Sequence, residues 1–199
     1  RETCPPDPDN KSCPVGGTRG QHFPLYWPQS CVGFSINENL SSQLITVKAG
    51  QDPAEALEQA KVRVAKITNQ AFATWQRVTC SEFGGQSPTM TFANLGFIEC
   101  GRHEYNQNIE AQRKVPQGNA NLIVFREDVW PYQGAANTLA LTTLTFNTKT
   151  GEIYDADMEI NAVKGKVKLT TDDADPASDR LSILTHEAGH FIGIAHSPD

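Results

Sequence analysis

The segment His186-Glu-Ala-Gly-His190-Phe-Ile-Gly193-Ile-Ala-His196 constrains the fold more than any other stretch of this chain. His186 and His190 are four residues apart, just over one helical turn, so on a helix both imidazoles leave the same side and can grip one cation. Leu181, Leu184, Ala188, Phe191 and Ile192 supply an apolar face at helical spacing, which predicts a helix packed inward on that side. Asp175-Pro176 offers it a capped start. Gly193 suits a left-handed residue that ends the helix and turns the chain back. That turn is what swings His196 towards the other two histidines.

Three neutral imidazoles leave a fourth tetrahedral position for water, which is the open coordination of a catalytic zinc site and not the closed one of a structural site. The expected ligands are therefore His186, His190 and His196. Glu187 sits about 100° round the helix axis from His186, poorly placed as a ligand but near enough to take a proton from a water at the ion. It is the candidate general base. Any one histidine taken singly reads as a hydrogen-bonded residue on a helix face. The five fixed positions together would arise by chance on the order of once in 10⁵ chains of this length. His22 and His103, outside the motif, read as ordinary surface or loop residues.

The remainder is expected to be one domain. At 199 residues the chain can bury a core, and the N-terminal 30 or so, rich in Pro, Gly, Asp and Ser, read as an extended surface arm. Cys31–Ile36 has strand character, and Asp52-Pro53 opens a long helix whose stripe Leu57, Ala60, Val64, Ile67, Ala71, Trp75 and Val78 must be buried. Further β-type runs are Met90–Phe92, Leu122–Phe125, Leu139–Phe146 and Ile153–Ile160. Asn147–Gly151 fits a hairpin connection, so the last two runs are expected to pair antiparallel. The fold class is α+β: a twisted, mainly parallel sheet with one antiparallel edge strand, a long backing helix and a helix carrying the histidines.

A net charge of −6, with the basic residues scattered, leaves no footprint for nucleic acid, and no apolar run is long enough to span a membrane. Five cysteines at wide spacings suit disulfides in an oxidising compartment, which points to export. The expected pairs are Cys4–Cys13 and Cys80–Cys100, with Cys31 left over.

The histidine motif is that of the metzincins, and Ser197 directly after the third histidine resembles the matrixin branch. Ala71-Phe-Ala-Thr-Trp75 resembles the end of the first matrixin helix, and Gly151–Asn161 the strand before the active-site helix. The likeness runs from about residue 30 to Asp199 and is most specific over residues 186–197. It implies a secreted, bacterial-type zinc endopeptidase, acting as a monomer, whose peptide substrate lies extended along an edge strand; Leu139–Phe146 is the candidate strand. Animal matrixins hold a second zinc through histidines near the counterpart of residues 151–161. This chain has Tyr154 and no histidine there, so only one zinc is expected.

Family calcium sites use acidic groups in the same region. Asp155, Asp157 and Glu159 alternate along one strand face as candidate calcium ligands, the alternative being a solvated acidic face. Metzincins also continue past the third histidine into a Met-containing turn beneath the zinc. Here the methionines are Met90 and Met158 alone, so residues 31–199 are expected to be a catalytic domain cut short before that turn, the alternative being a form that binds metal poorly and has little activity. A cysteine thiolate capping the zinc is a further alternative, but neither Cys4-Pro-Pro-Asp7 nor Cys13-Pro-Val-Gly16 matches the family's prosegment motif.

Two non-enzymatic readings compete. A zinc-binding or adhesion module on an inactive protease scaffold would be expected to lack Glu187, and a disulfide-stapled interaction domain has no need of three histidines.

Overall fold

The computed structural model describes residues 2–3, 23–79, 84–100, 119–132, 138–163 and 179–196. Within the expected arm, Glu2–Thr3 (β1) and Phe23–Pro24 (β2) pair antiparallel, a small sheet where Pro and Gly content predicts no regular structure. The end of the arm also leaves the surface. Tyr26 bridges to Glu152, and Trp27 is buried with its indole N–H donating to the Phe191 carbonyl at 2.9 Å. An indole joins a large apolar face to one donor, so it fills core space and satisfies a helix-end carbonyl together.

Five longer strands form the main sheet: Cys31–Asn37 (β3), Thr91–Ile98 (β4), Leu122–Arg126 (β5), Ala140–Phe146 (β6) and Ile153–Asn161 (β7). Their order is β4-β3-β5-β7-β6, with every pairing parallel except β6 against β7. Connection length explains the exception. Parallel neighbours need a long crossover, which a 24-residue helix between β3 and β4 supplies, whereas β6 and β7 are joined by a short turn. That turn closes with Gly151 N–H donating to the Asn147 carbonyl at 2.8 Å, Gly151 having a φ of 82°. The result is a mixed α and β architecture with a mostly parallel sheet and an antiparallel edge, as expected.

The long helix, Pro53–Gln76 (α1), starts as the sequence predicts, with the Asp52 carboxylate accepting the Ala54 N–H at 2.9 Å. Its buried face is turned from the expected stripe. Ala56, Ala60, Val64, Thr68, Ala71 and Phe72 are buried, Leu57, Ile67 and Trp75 are only partly so, and Val78 is exposed beyond the helix end. Thr68 enters the core because its hydroxyl donates to the Val64 carbonyl at 2.9 Å, leaving no orphaned donor.

The second helix, Arg180–Phe191 (α2), is capped by Asp179, whose carboxylate accepts from both the Ser182 N–H and its hydroxyl. The cap is therefore not Asp175, which with Pro176 lies outside the described residues. Both helices share one apolar cluster with the sheet face that carries Ala156, Met158 and Ile160. At its centre Phe191 stacks on Trp27 and meets Phe72 edge-on, with ring centroids 5.4 and 5.1 Å apart. Among the described residues no helix is long and apolar enough to cross a membrane.

Candidate metal centre

Helix α2 is held at three points along its length. The Trp75 indole N–H donates to the Thr185 carbonyl at 2.7 Å, and the Trp75 ring lies so close to Gly189 that a Cβ there would come within 2.6 Å of it. The third point is the end. Gly193, with a φ of 96°, donates its N–H to the His190 carbonyl, and Ile194 donates to the Gly189 carbonyl at 3.0 Å. This pair of crossed bonds is the Schellman arrangement, and it satisfies the helix-end carbonyls while reversing the chain. A side chain at 193 would also meet the Leu25 Cβ at 3.0 Å, so glycine is required by conformation and by space.

The reversal carries His196 over α2. Its Nε2 lies 2.9 Å from that of His186 and 3.1 Å from that of His190, and the latter two Nε2 atoms are 3.1 Å apart. Each Nε2 has one lone pair or one proton directed along its ring axis, so three of them facing a single point cannot all satisfy one another by hydrogen bonds. A shared cation does satisfy them: zinc bonds of 2.0–2.1 Å imply tetrahedral edges of about 3.3 Å, close to the spacing here. The His190 Nδ1 lies 2.7 Å from the Ile194 carbonyl, which needs a proton on Nδ1 and so leaves its Nε2 as an acceptor. Burial and the two neighbouring imidazoles hold His186 below the usual histidine range, against the pull of Glu187, which favours the neutral, ligating form. No other group of histidine, cysteine and acidic side chains among the described residues converges in this way.

Glu187 is 5% exposed, on the turn of α2 between the two helical histidines. Its Oε2 accepts a hydrogen bond from the Thr142 hydroxyl of β6 at 2.5 Å. Thr142 carries no signal of this in the sequence, because it stands 45 residues away and nothing local marks it.

The acidic row is not the solvated face that was the alternative expectation. Asp155, Asp157 and Glu159 are 4%, 2% and 0% exposed, so they do not form a solvated face. Glu159 receives the Arg126 guanidinium on one oxygen and the Tyr132 hydroxyl on the other. Asp157 accepts the Leu122 N–H at 2.8 Å, and burial, followed by the nearby Asp155 charge, pushes its carboxyl up to about 8. These three carboxylates do not gather into a metal-ligating group.

The Cys31 thiol is exposed and unpaired. Cys4, Cys13 and Cys80, and with them both expected disulfides, lie outside the described residues, as do His22, His103 and Ser197. The chain matches no protein-family model and no curated protein.

Proposed function

We propose that this chain is the catalytic part of a secreted zinc endopeptidase of metzincin type, on the matrixin branch. The observation that carries the reading is the convergence of the His186, His190 and His196 Nε2 atoms to within 3.1 Å of one another, beside a buried and anchored glutamate. The order of elements supports it too, since a long helix backs a mostly parallel sheet whose antiparallel edge strand lies against the histidine helix.

The three imidazoles would hold the ion. Zinc, when bound, supplies a Lewis acid that polarises a peptide carbonyl and brings a water's pKa towards about 7. Glu187 accepts the proton as that water attacks, then passes it to the leaving nitrogen. Among the described residues strand β6 lies at the edge of the sheet, so an extended peptide can lie along its outer backbone groups as an added strand. That placement orients the scissile bond across α2. A protein or peptide in extended form is thus the substrate class, and neither nucleic acid nor a membrane is a partner in this reading.

Metal analysis and a chelator-sensitive assay on a quenched peptide library test the proposal. Wild type is expected to bind one zinc and to cleave, and Glu187→Ala to keep the zinc while losing about 10²- to 10⁴-fold in rate. Undiminished cleavage by Glu187→Ala refutes the assignment of the base; a zinc-free, inactive wild type refutes the enzyme.

A further inference from the structure

We infer that Thr142 is a positioning residue that holds the Glu187 carboxylate in one orientation and ties it to the register of the edge strand; this rests on the proposed peptidase reading. The hydroxyl lies 2.5 Å from Glu187 Oε2 and 3.3 Å from the Glu187 carbonyl, so its single proton goes to the nearer, charged acceptor. Glutamate has three rotatable side-chain bonds, and a carboxylate with neither oxygen fixed would present either one at several angles. With Oε2 engaged, Oε1 is the oxygen left for the proton transfer, and a carboxylate retains ample lone pairs for it.

The donor is itself rigid. Thr142 is β-branched, so its χ1 has few choices, and its backbone is locked in the β6–β7 ladder opposite the fully buried Met158. Residues 140, 142, 144 and 146 of β6 share one face by strand alternation, and Ala140, Leu144 and Phe146 all join the apolar cluster that contains α2. Thr142 is the polar member of that face. One strand therefore offers its outer backbone edge to the peptide and one side chain to the base. The distance between the scissile carbonyl and the proton acceptor is set through residue 142, without a contact from Thr142 to the reacting atoms.

The test compares Thr142→Val, which removes the donor and keeps the branched shape, with Thr142→Ser, which keeps the hydroxyl. Both are assayed as the zinc-loaded protein on the same quenched peptide, with zinc content and thermal midpoint measured alongside. A hydrogen bond to a charged group corresponds to a loss of about 10- to 100-fold, so Thr142→Val is expected to lose that much in kcat with KM and zinc content unchanged. Thr142→Ser is expected to stay within about threefold of wild type. In the metal-free protein, the midpoint shifts of Thr142→Val and Glu187→Ala are expected not to add, because each removes the same contact.

A Thr142→Val variant with wild-type kcat, a Thr142→Ser variant as impaired as Thr142→Val, or strictly additive midpoint shifts overturns the inference. Absence of zinc-dependent cleavage by the wild type overturns the proposed function itself, a result separable from the other three.

Discussion

The histidine centre on α2 and the acidic row on β7 both look like metal sites when spacing alone is considered, yet their side chains are occupied in opposite ways. In the first, three Nε2 atoms face one another at 2.9–3.1 Å in a geometry that mutual hydrogen bonds cannot satisfy at all three, and two of the three rings are exposed. In the second, the carboxylates are buried and turned onto partners within the protein: Arg126 and Tyr132 for Glu159, the Leu122 amide for Asp157. A ligand set is recognised by what its donor atoms lack. Residue type and periodicity are only the preconditions.

The contrast can be broken most decisively at its two strongest points. His190→Ala is expected to weaken zinc binding by more than the roughly 10- to 100-fold that loss of an outer-shell partner costs, whereas Glu159→Ala should leave zinc affinity where it was. Competition with a chromophoric chelator measures both. Zinc loss in Glu159→Ala would mean that the two regions are one system.

Stability should show the reverse preference. Removing one partner of a buried ion pair costs about 3–5 kcal/mol, and because the Arg126 side chain keeps 22% exposure, Glu159→Ala is placed near the lower end, about 3 kcal/mol. Urea unfolding of the metal-free protein gives the value. A change below about 1 kcal/mol would show the pair to be dispensable and the row free to serve another purpose.

A separate effect is expected from pH. Asp157 is held at about 8 in the folded chain against 3.8 as its ordinary value, so between those limits the folded state keeps a proton that the unfolded chain gives up. Its contribution to stability is therefore complete below about pH 4 and declines as pH rises through about 8. Asp157→Asn, which can still accept the Leu122 N–H, should flatten that slope; an unchanged slope would place the titration elsewhere. Smallest of all, millimolar calcium is expected to leave the thermal midpoint unmoved, since the carboxylate oxygens of the row are already engaged. A calcium-dependent rise in midpoint would sharpen the comparison into two metal sites.

Much of this was written locally in the chain. The Asp52-Pro53 start of α1, the Asn147–Gly151 hairpin and the Gly193 reversal are each set by residues within a turn of one another, and each stands where the sequence puts it. What escaped was non-local or self-satisfied. Thr68 stands outside the expected α1 stripe because its polarity hides a bond to its own helix, and Val78 falls within it because periodicity continues past the point where the helix stops. The burial of Asp157 is illegible for the same reason as Thr142, since the partner of each comes from another element, the Leu122 amide of β5 for Asp157 and Glu187 of α2 for Thr142. Trp27 carries no local signal amid the prolines around it, although it anchors the end of the arm to α2.

The contact between Trp75 and Gly189 also changes how the histidine motif should be counted. Between His186 and His190 the pattern leaves two positions nominally open, but in this chain the second is filled from outside by the indole of another helix. Even one added methyl group at 189 would wedge the helices apart and tilt the axis from which both imidazoles project. Tight seating on α1 and metal geometry thus make demands on the same five-residue stretch, and a graft of the motif onto a different scaffold would need its own substitute for that tryptophan.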